Sequence, residues 1–180
     1  MIELERTFLA KFLPEGLDKC EVKEMVDLYI PHDHHHPKLR IRKHGDKFVI
    51  TKKVPVKKDN FSKLREQTIH LDPAEFKGLN QINAKRVHKL RYKFPYENTN
   101  AEIDVFLGSL SGLILVDFEF EDEATLKAFN MPDFCLAEVT KEEFIAGGKL
   151  CGKSYEDIKE SLEKFGYQKI TENNLAHPKK

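Results

Sequence analysis

Ionisable side chains of one sign recur in pairs, two residues apart, along this chain. The basic pairs are Arg40 with Arg42 and Lys89 with Arg91, and the acidic pairs are Glu3 with Glu5, Glu102 with Asp104 and Asp117 with Glu119. Residues at i and i+2 of a β-strand lie on one face of the sheet, so each pair shares a face. Carboxylates bind hard cations such as Mg²⁺, and arginine binds phosphate oxygens in a bidentate manner. Phosphoryl transfer uses both, so the pattern indicates a phosphate-rich ligand handled together with a divalent metal.

Two kinds of sheet could carry this alternation of charged and apolar residues. An antiparallel sheet with one face in water alternates in the same way, and runs of charge are usually solvated faces. Here, however, acids follow acids and bases follow bases along individual strands, and like charges on an open sheet repel. We therefore predict an α+β fold, a closed eight-stranded antiparallel β-barrel with a polar, charged lumen and with helices packed outside.

Turn and cap signals bound the elements that position these pairs. The first strand is predicted to run to about Phe12. The sequence HGD at 44–46 separates two alternating runs and predicts a hairpin. Aspartate followed by proline at 72–73 predicts the start of a helix, and Ser154 predicts the start of another with an apolar stripe. A short helix is also expected near 123–129.

Composition limits the class of protein. The 180 residues suffice for one core, and we predict a single domain over 1–170 with a disordered tail at 171–180. The 30 basic and 30 acidic residues balance, which argues against nucleic-acid and membrane partners. The three cysteines have no metal-binding spacing and are typical of a reducing compartment, and no apolar stretch approaches the ~20 residues of a membrane helix. A soluble cytoplasmic protein, monomer or homodimer, is expected.

Five sequence blocks make the chain similar to a known superfamily. They are ELER, LRIRKHGDKFVITKK, KLRY, AEIDVFLGSLSGLILVDFEF and AEVT. With them, over residues 2 to about 148, the chain resembles the CYTH superfamily, or triphosphate tunnel metalloenzymes. That superfamily includes inorganic triphosphatases, thiamine triphosphatases and class IV adenylate cyclases. The resemblance implies an eight-stranded antiparallel tunnel, in agreement with the polar lumen predicted from strand alternation.

The resemblance also implies roles for individual residues. It implies that Mg²⁺ or Mn²⁺ is bound by Glu3, Glu5, Glu119 and Asp117, with Glu102 and Asp104 as further acidic ligands, some acting through water. The triphosphate is implied to contact Arg40, Arg42, Lys53, Lys89 and Arg91. Glu66 and Glu138 are expected to be further residues of the lumen.

Lys53 and Tyr29 are the candidates for proton transfer. A lysine among other cations has a lowered pKa and can act as a base toward the attacking water, although phosphate contact is the favoured role of Lys53. Resemblance to the thiamine triphosphatases makes Tyr29 a partner for such a lysine. A packing role for Tyr29, with its hydroxyl at the rim, is an equal alternative.

Two positions depart from the family pattern and keep the function open. Thr7 stands where the N-terminal ExExK motif has its lysine, and Thr68 stands where a second acid follows Glu66. We predict an enzyme that releases the terminal phosphate of a small-molecule triphosphate, inorganic or other. The alternatives are a class IV-type adenylate cyclase, which needs a pocket for adenine and ribose, and a non-catalytic tunnel that binds polyphosphate or nucleotide.

Overall fold

The computed structural model describes residues 4–33, 39–57 and 60–171, without the side chains of 53–57 and 60–66. Several predicted features therefore lie outside the described residues. They are Glu3, the side chains of Lys53 and Glu66, and the tail from residue 172.

Nine strands in the described part of the chain form one antiparallel sheet. They are β1 (Leu4–Ala10), β2 (Glu21–Ile30), β3 (Leu39–His44), β4 (Lys47–Lys57), β5 (Asn60–Leu71), β6 (Lys85–Tyr96), β7 (Thr99–Phe106), β8 (Ile114–Phe120) and β9 (Cys135–Glu138). Their order across the sheet is β5-β4-β3-β2-β6-β7-β8-β1-β9. The hairpin predicted at 44–46 joins β3 to β4, and Gly45 adopts the positive φ of 57° that its turn requires.

Within the described ranges, four α-helices accompany the sheet: α1 (Pro73–Leu79), α2 (Glu123–Ala128), α3 (Gly147–Leu150) and α4 (Tyr155–Glu163). The predicted helix starts are confirmed, because Asp72 and Ser154 each accept a hydrogen bond from the backbone N–H three residues later and complete a capping box. No helix within the described ranges is long and apolar enough to cross a membrane.

The α+β class with an antiparallel sheet is confirmed, whereas closure into an eight-stranded barrel is not. The described strands number nine, and β5 and β9 are the two edges of the ladder, with no pairing between them in the described part of the chain. The extra strand β9 pairs with β1 on the side opposite β8. β1 ends at Ala10, before the predicted Phe12, and the β1–β9 register shifts between Leu9 and Ala10, as at a β-bulge.

One face of the sheet is apolar and covered by helices. Phe8 and Phe118 are fully buried there, with an edge-to-face ring contact, and both contact Phe129 at the end of α2. Further along the sheet, Phe76 of α1 packs on Phe48 with ring centroids 4.8 Å apart. This face supplies the hydrophobic stabilisation predicted for the apolar residues of the alternating strands.

The opposite face carries ionisable groups and is called the charged face below. The strand registers bring to it Thr7 with Asp117, Arg91 with Asp104, and Asp27 with Arg42. Its character changes at one end, where the residues of the same parity are Leu9, Leu115 and Phe106, all buried. The charged face is thus bounded by an apolar end.

The C-terminal part of the chain is anchored beside that apolar end. Tyr167 donates its hydroxyl hydrogen to the carbonyl of Gly112 (2.8 Å) and accepts from the backbone N–H of Ile114 (2.9 Å). In addition, the position of a Cβ on Gly147 lies 3.4 Å from the Tyr29 hydroxyl. Residues beyond β9 therefore pack against the strand ends that border the charged face.

Candidate active site on the charged face

Arg91 of β6 is the centre of a dense ion-pair network. Its Nε and Nη2 atoms donate to the two oxygens of Asp104, each at 2.7 Å, which is a bidentate contact. Nη1 donates to Glu102, and Nη2 also lies 3.3 Å from Asp117 Oδ2. Burial opposes the charged form of Arg91, but the hydrogen bond and charge of Asp104 and the charges of Glu102 and Asp117 raise its pKa overall. The guanidinium is therefore permanently charged and shared among three carboxylates.

Asp104 of β7 is the deepest acid in this network, with a side chain only 1% exposed. It accepts from Lys89 as well as from Arg91. Burial disfavours its charged form, yet the two cations outweigh that cost and lower its pKa. Asp104 is thus an ionised carboxylate that fixes two basic side chains.

The pKa of Asp117 on β8 has the opposite net shift. Burial, and then the negative charge of Asp104, raise its pKa to about 6, against the lowering effects of Thr7, Lys89 and Arg91. Thr7 donates its hydroxyl hydrogen to Asp117 Oδ1 at 2.7 Å. Thr7, at the position where the family motif has lysine, is therefore a neutral donor to one acid of the site.

Glu5 and Glu119 lie opposite each other on β1 and β8, two residues from Thr7 and Asp117 respectively. Both side chains are exposed. Two facing carboxylates match the way Mg²⁺ is commonly bound in phosphate-handling sites, where substrate and water supply the other oxygens. No group of three His, Cys, Asp or Glu side chains within the described residues converges on one point to hold a metal. Glu3, the first acid of the N-terminal pattern, is outside the described residues.

The region that comprises Glu5, Glu102, Asp104, Asp117 and Glu119, with Lys89 and Arg91, is called the acidic half of the charged face. The basic half consists of Arg40 and Arg42 on β3 with Asp27 and Tyr29 on β2. In the basic half, Asp27 accepts from Arg42 Nε and Nη2, each at 2.6 Å. The Asp27 side chain is 7% exposed and that of Arg42 is 26% exposed, so the acid of this bidentate pair is nearly removed from water while the arginine is partly accessible.

Arg40 lies opposite Tyr29 in the β2–β3 register. Burial raises the pKa of the Tyr29 hydroxyl, and the charge of Asp27 adds to the effect. The charge and the hydrogen bond of Arg40 oppose this rise without cancelling it. Arg40 Nε is buried without a hydrogen-bond partner in the described part of the chain. An orphaned guanidinium N–H is costly unless an acceptor satisfies it, so this atom points to an acceptor that the described residues do not supply.

The structure brings most of the residues selected from sequence onto one face. Ion pairs join five of them in one network: Lys89, Arg91, Glu102, Asp104 and Asp117. The β2–β3 register places Arg40, Arg42 and Tyr29 near one another in the neighbouring basic half. Lys53 and Glu66 are register partners in β4 and β5, and only their backbone is described.

Glu138 lies on the other face, contrary to the expectation that it faces the lumen. The β1–β9 register puts Glu138 opposite Phe8, a residue of the apolar face. Its carboxylate accepts from Arg6 Nη2, and the Arg6 guanidinium lies 5.1 Å from the Phe8 ring centroid. Glu138 thus pairs with a cation that covers aromatic core residues.

Asp27 is the member of the site that sequence reasoning missed. The pairs that indicated chemistry consisted of two like charges, whereas Asp27 lies between Met25 and Tyr29 at two-residue spacing. A single acid in a strand is more often a solvated residue. Its parity with Tyr29 and the antiparallel pairing of β2 with β3 were the signals that could have identified it.

Comparisons with known proteins agree with the sequence blocks. No family model matches the chain. An inorganic triphosphatase of Nitrosomonas europaea is 33% identical over 146 residues, which cover 79% of this chain and 92% of that protein. An inorganic triphosphatase of Acetivibrio thermocellus is 36% identical over 74 residues, which cover 41% and 46%. The crystal structure of the inorganic triphosphatase NE1496 is similar with a TM-score of 0.68 and 28% identity, covering 85% of this chain and 96% of that one. The chain therefore belongs to the CYTH superfamily of triphosphate tunnel metalloenzymes.

Proposed function

We propose that this protein is a metal-dependent triphosphatase that releases the terminal phosphate of a linear triphosphate, with inorganic tripolyphosphate as its preferred substrate. The observation that carries the proposal is the match to an inorganic triphosphatase over 79% of this chain and 92% of the relative. The residues of the charged face support it, because acidic and basic groups occur there at the positions that the family resemblance implies. Closure of the sheet into a tunnel around the substrate is part of the same proposal.

Arg40 and Arg42 are proposed to bind the phosphate chain directly. Among the described residues, Arg40 has a buried Nε without a partner and Arg42 is held by a single carboxylate. Lys53, Lys89 and Arg91 complete the phosphate-binding set. Lys89 and Arg91 are already paired with acids, so their contribution is positive charge at fixed positions.

Glu5 and Glu119, with Glu3 and Asp117, are proposed to hold Mg²⁺ or Mn²⁺. A bound divalent ion neutralises charge on the transferring phosphoryl group and orients it. Glu102 and Asp104 are bonded to Arg91, and Asp104 also to Lys89. We assign these two acids to the positioning of the cations and, through water, to the surroundings of the metal.

In the proposed reaction water attacks the terminal phosphorus in line with the leaving oxygen, while the basic half holds the remaining phosphates. Lys53 and Tyr29 are the two candidates for proton transfer. The raised pKa of Tyr29 keeps its phenol protonated at neutral pH, so it is suited to donate a hydrogen bond and not to act as a base.

The test is phosphate release from tripolyphosphate, ATP and thiamine triphosphate, each with Mg²⁺, with Mn²⁺ and with chelator. We expect chelator-sensitive release from tripolyphosphate that is well above release from ATP. Cyclic AMP and pyrophosphate formed from ATP would instead establish a cyclase. An absence of turnover combined with heat stabilisation by tripolyphosphate would establish a binding tunnel.

A further inference from the structure

We infer that Asp27 is a positioning residue for substrate binding, which acts by fixing the Arg42 guanidinium. The inference rests on the proposed function, since it concerns the same triphosphate site. It explains why a carboxylate, Asp27, lies in the basic half, where the other charged residues attract the negatively charged triphosphate.

The geometry of the pair supports positioning. Asp27 engages the Nε and Nη2 atoms of Arg42 at 2.6 Å each, which fixes the plane of the guanidinium. A guanidinium has a further edge at Nη1, and within the described residues no acceptor is bonded to it. The two nitrogens that face Asp27 therefore determine where the third one points.

The neighbours of Arg42 explain why a negative charge is required there. Burial is the main effect that disfavours the charged form of Arg42, and the charge of Arg91 adds to that cost. The hydrogen bond and charge of Asp27 outweigh both effects and raise the pKa of Arg42 overall. Asp27 thus offsets the cost of placing the buried Arg42 guanidinium on the same face as Arg91.

Tyr29 occupies the equivalent place for the neighbouring arginine. In the antiparallel register Asp27 is opposite Arg42 and Tyr29 is opposite Arg40, so two supports at i and i+2 of β2 face two arginines at i and i+2 of β3. Among the described residues, the support for Arg42 is charged and that for Arg40 is neutral, which leaves Arg40 with the greater uncompensated charge. β2 accordingly serves as the strand that orients the basic half.

Removal of Asp27 has two opposing consequences for triphosphate binding. It deletes a negative charge near the polyanion, which strengthens binding, and it releases Arg42 to turn away from Arg91, which weakens binding. Because the Asp27 side chain is 7% exposed and its charge is already matched by Arg42, we expect the loss of orientation to dominate.

The experiment measures kcat and KM for tripolyphosphate in Asp27→Ala, Arg42→Ala and the double variant, with calorimetric tripolyphosphate binding in chelator as a readout that needs no turnover. We expect Asp27→Ala to raise KM on the order of tenfold or more while kcat changes less than about threefold. The double variant should bind no more weakly than Arg42→Ala alone, because Asp27 acts through Arg42. Asp46→Ala removes the same charge from the exposed β3–β4 turn and is the matched control.

Two further variants distinguish a loss of Arg42 orientation in Asp27→Ala from a loss of folding. Asp27→Asn keeps one acceptor for Arg42 and Asp27→Glu keeps the charge, and both should recover part of the affinity lost in Asp27→Ala. Unchanged or tighter binding in Asp27→Ala, with only the melting temperature lowered, would overturn the positioning role and leave the proposed function intact. Wild-type protein that neither binds nor hydrolyses tripolyphosphate would overturn both.

Discussion

The two halves of the charged face treat their arginines differently. In the acidic half, Arg91 is shared among Asp104, Glu102 and Asp117, and little of its hydrogen-bonding capacity is left. Among the described residues of the basic half, Arg42 has one acidic partner, and the buried Nε of Arg40 has no hydrogen-bond partner. The difference teaches that the same residue type serves to arrange acids on one side and to receive phosphate on the other.

The largest expected effect tests the acidic half. Glu5→Gln preserves size and removes one of the two facing carboxylates, so we expect metal-dependent phosphate release to fall by at least about 10²-fold. The melting temperature should stay within about 2 °C, because the Glu5 side chain is exposed and contributes charge instead of packing. The assay is phosphate release against metal concentration.

Glu121→Gln is the matched control for this experiment, since Glu121 is an exposed acid just beyond β8. Turnover in Glu5→Gln equal to that of the control would remove Glu5 from the metal site. A rescue of activity at high metal concentration would instead support a role in metal affinity.

The next effect concerns the basic half. Arg40→Ala deletes the orphaned Nε together with the charge, and we expect tripolyphosphate binding to weaken by about 1.5–3 kcal/mol, the range for a hydrogen bond to a charged group. Isothermal calorimetry in chelator measures this loss without interference from turnover. Lys47→Ala removes an exposed cation from the β3–β4 hairpin and provides the comparison. Equal affinities of the two variants would contradict the assignment of Arg40 to phosphate.

A third prediction uses the pH dependence of stability in the acidic half. Burial, with the charge of Asp104, raises the pKa of Asp117 to about 6, so the native state holds its proton more tightly than the unfolded chain, where the pKa is about 4. The ionised group therefore destabilises the fold, fully so above pH 6 and not at all below pH 4. Asp117→Asn should raise the free energy of unfolding by about 1–3 kcal/mol more at pH 7.5 than at pH 4.

Thermal unfolding at the two pH values measures this difference, and the turnover assay should show that the same variant is impaired. If Asp117→Asn changed stability equally at both pH values, the pKa of Asp117 would not be raised in the native state. Higher stability and lower activity in Asp117→Asn than in the wild type would indicate that Asp117 is retained for function at a cost in stability.

The strand pattern and the caps were predictable from sequence, whereas the ion pairs were not. Like charges at i and i+2 correctly indicated the face shared by Arg91 with Asp104, because side-chain direction alternates in any strand. The prediction from sequence assigned the acids to the metal and the bases to phosphate, as two separate sets of ligands. Only the β6–β7 register brings Arg91 opposite Asp104. Register depends on pairing partners that lie far apart in the chain, so local patterns cannot supply it.

The four-residue strand β9 illustrates the same limit. A segment as short as Cys135–Glu138 has too few residues to show its own alternation, and its register is set by β1 with a shift at Leu9 and Ala10. Glu138 consequently falls on the apolar face with Arg6. Asp27 was missed for a related reason: an isolated acid gives no indication of a role until the register of the neighbouring strand pairs it with Arg42.

The smallest expected effect separates two roles for Tyr29. Its hydroxyl is buried and has a raised pKa, and it interacts with Arg40. If Tyr29 only supports Arg40, Tyr29→Phe removes one hydrogen bond, and affinity for tripolyphosphate should fall by about 0.5–1.5 kcal/mol with kcat nearly unchanged. A group that transfers a proton in the reaction contributes about 10²–10⁴-fold to kcat. Measurement of kcat and KM for Tyr29→Phe, beside Tyr92→Phe on the apolar face, decides between them. We expect the change in KM, because a protonated phenol held against an arginine is suited to orientation.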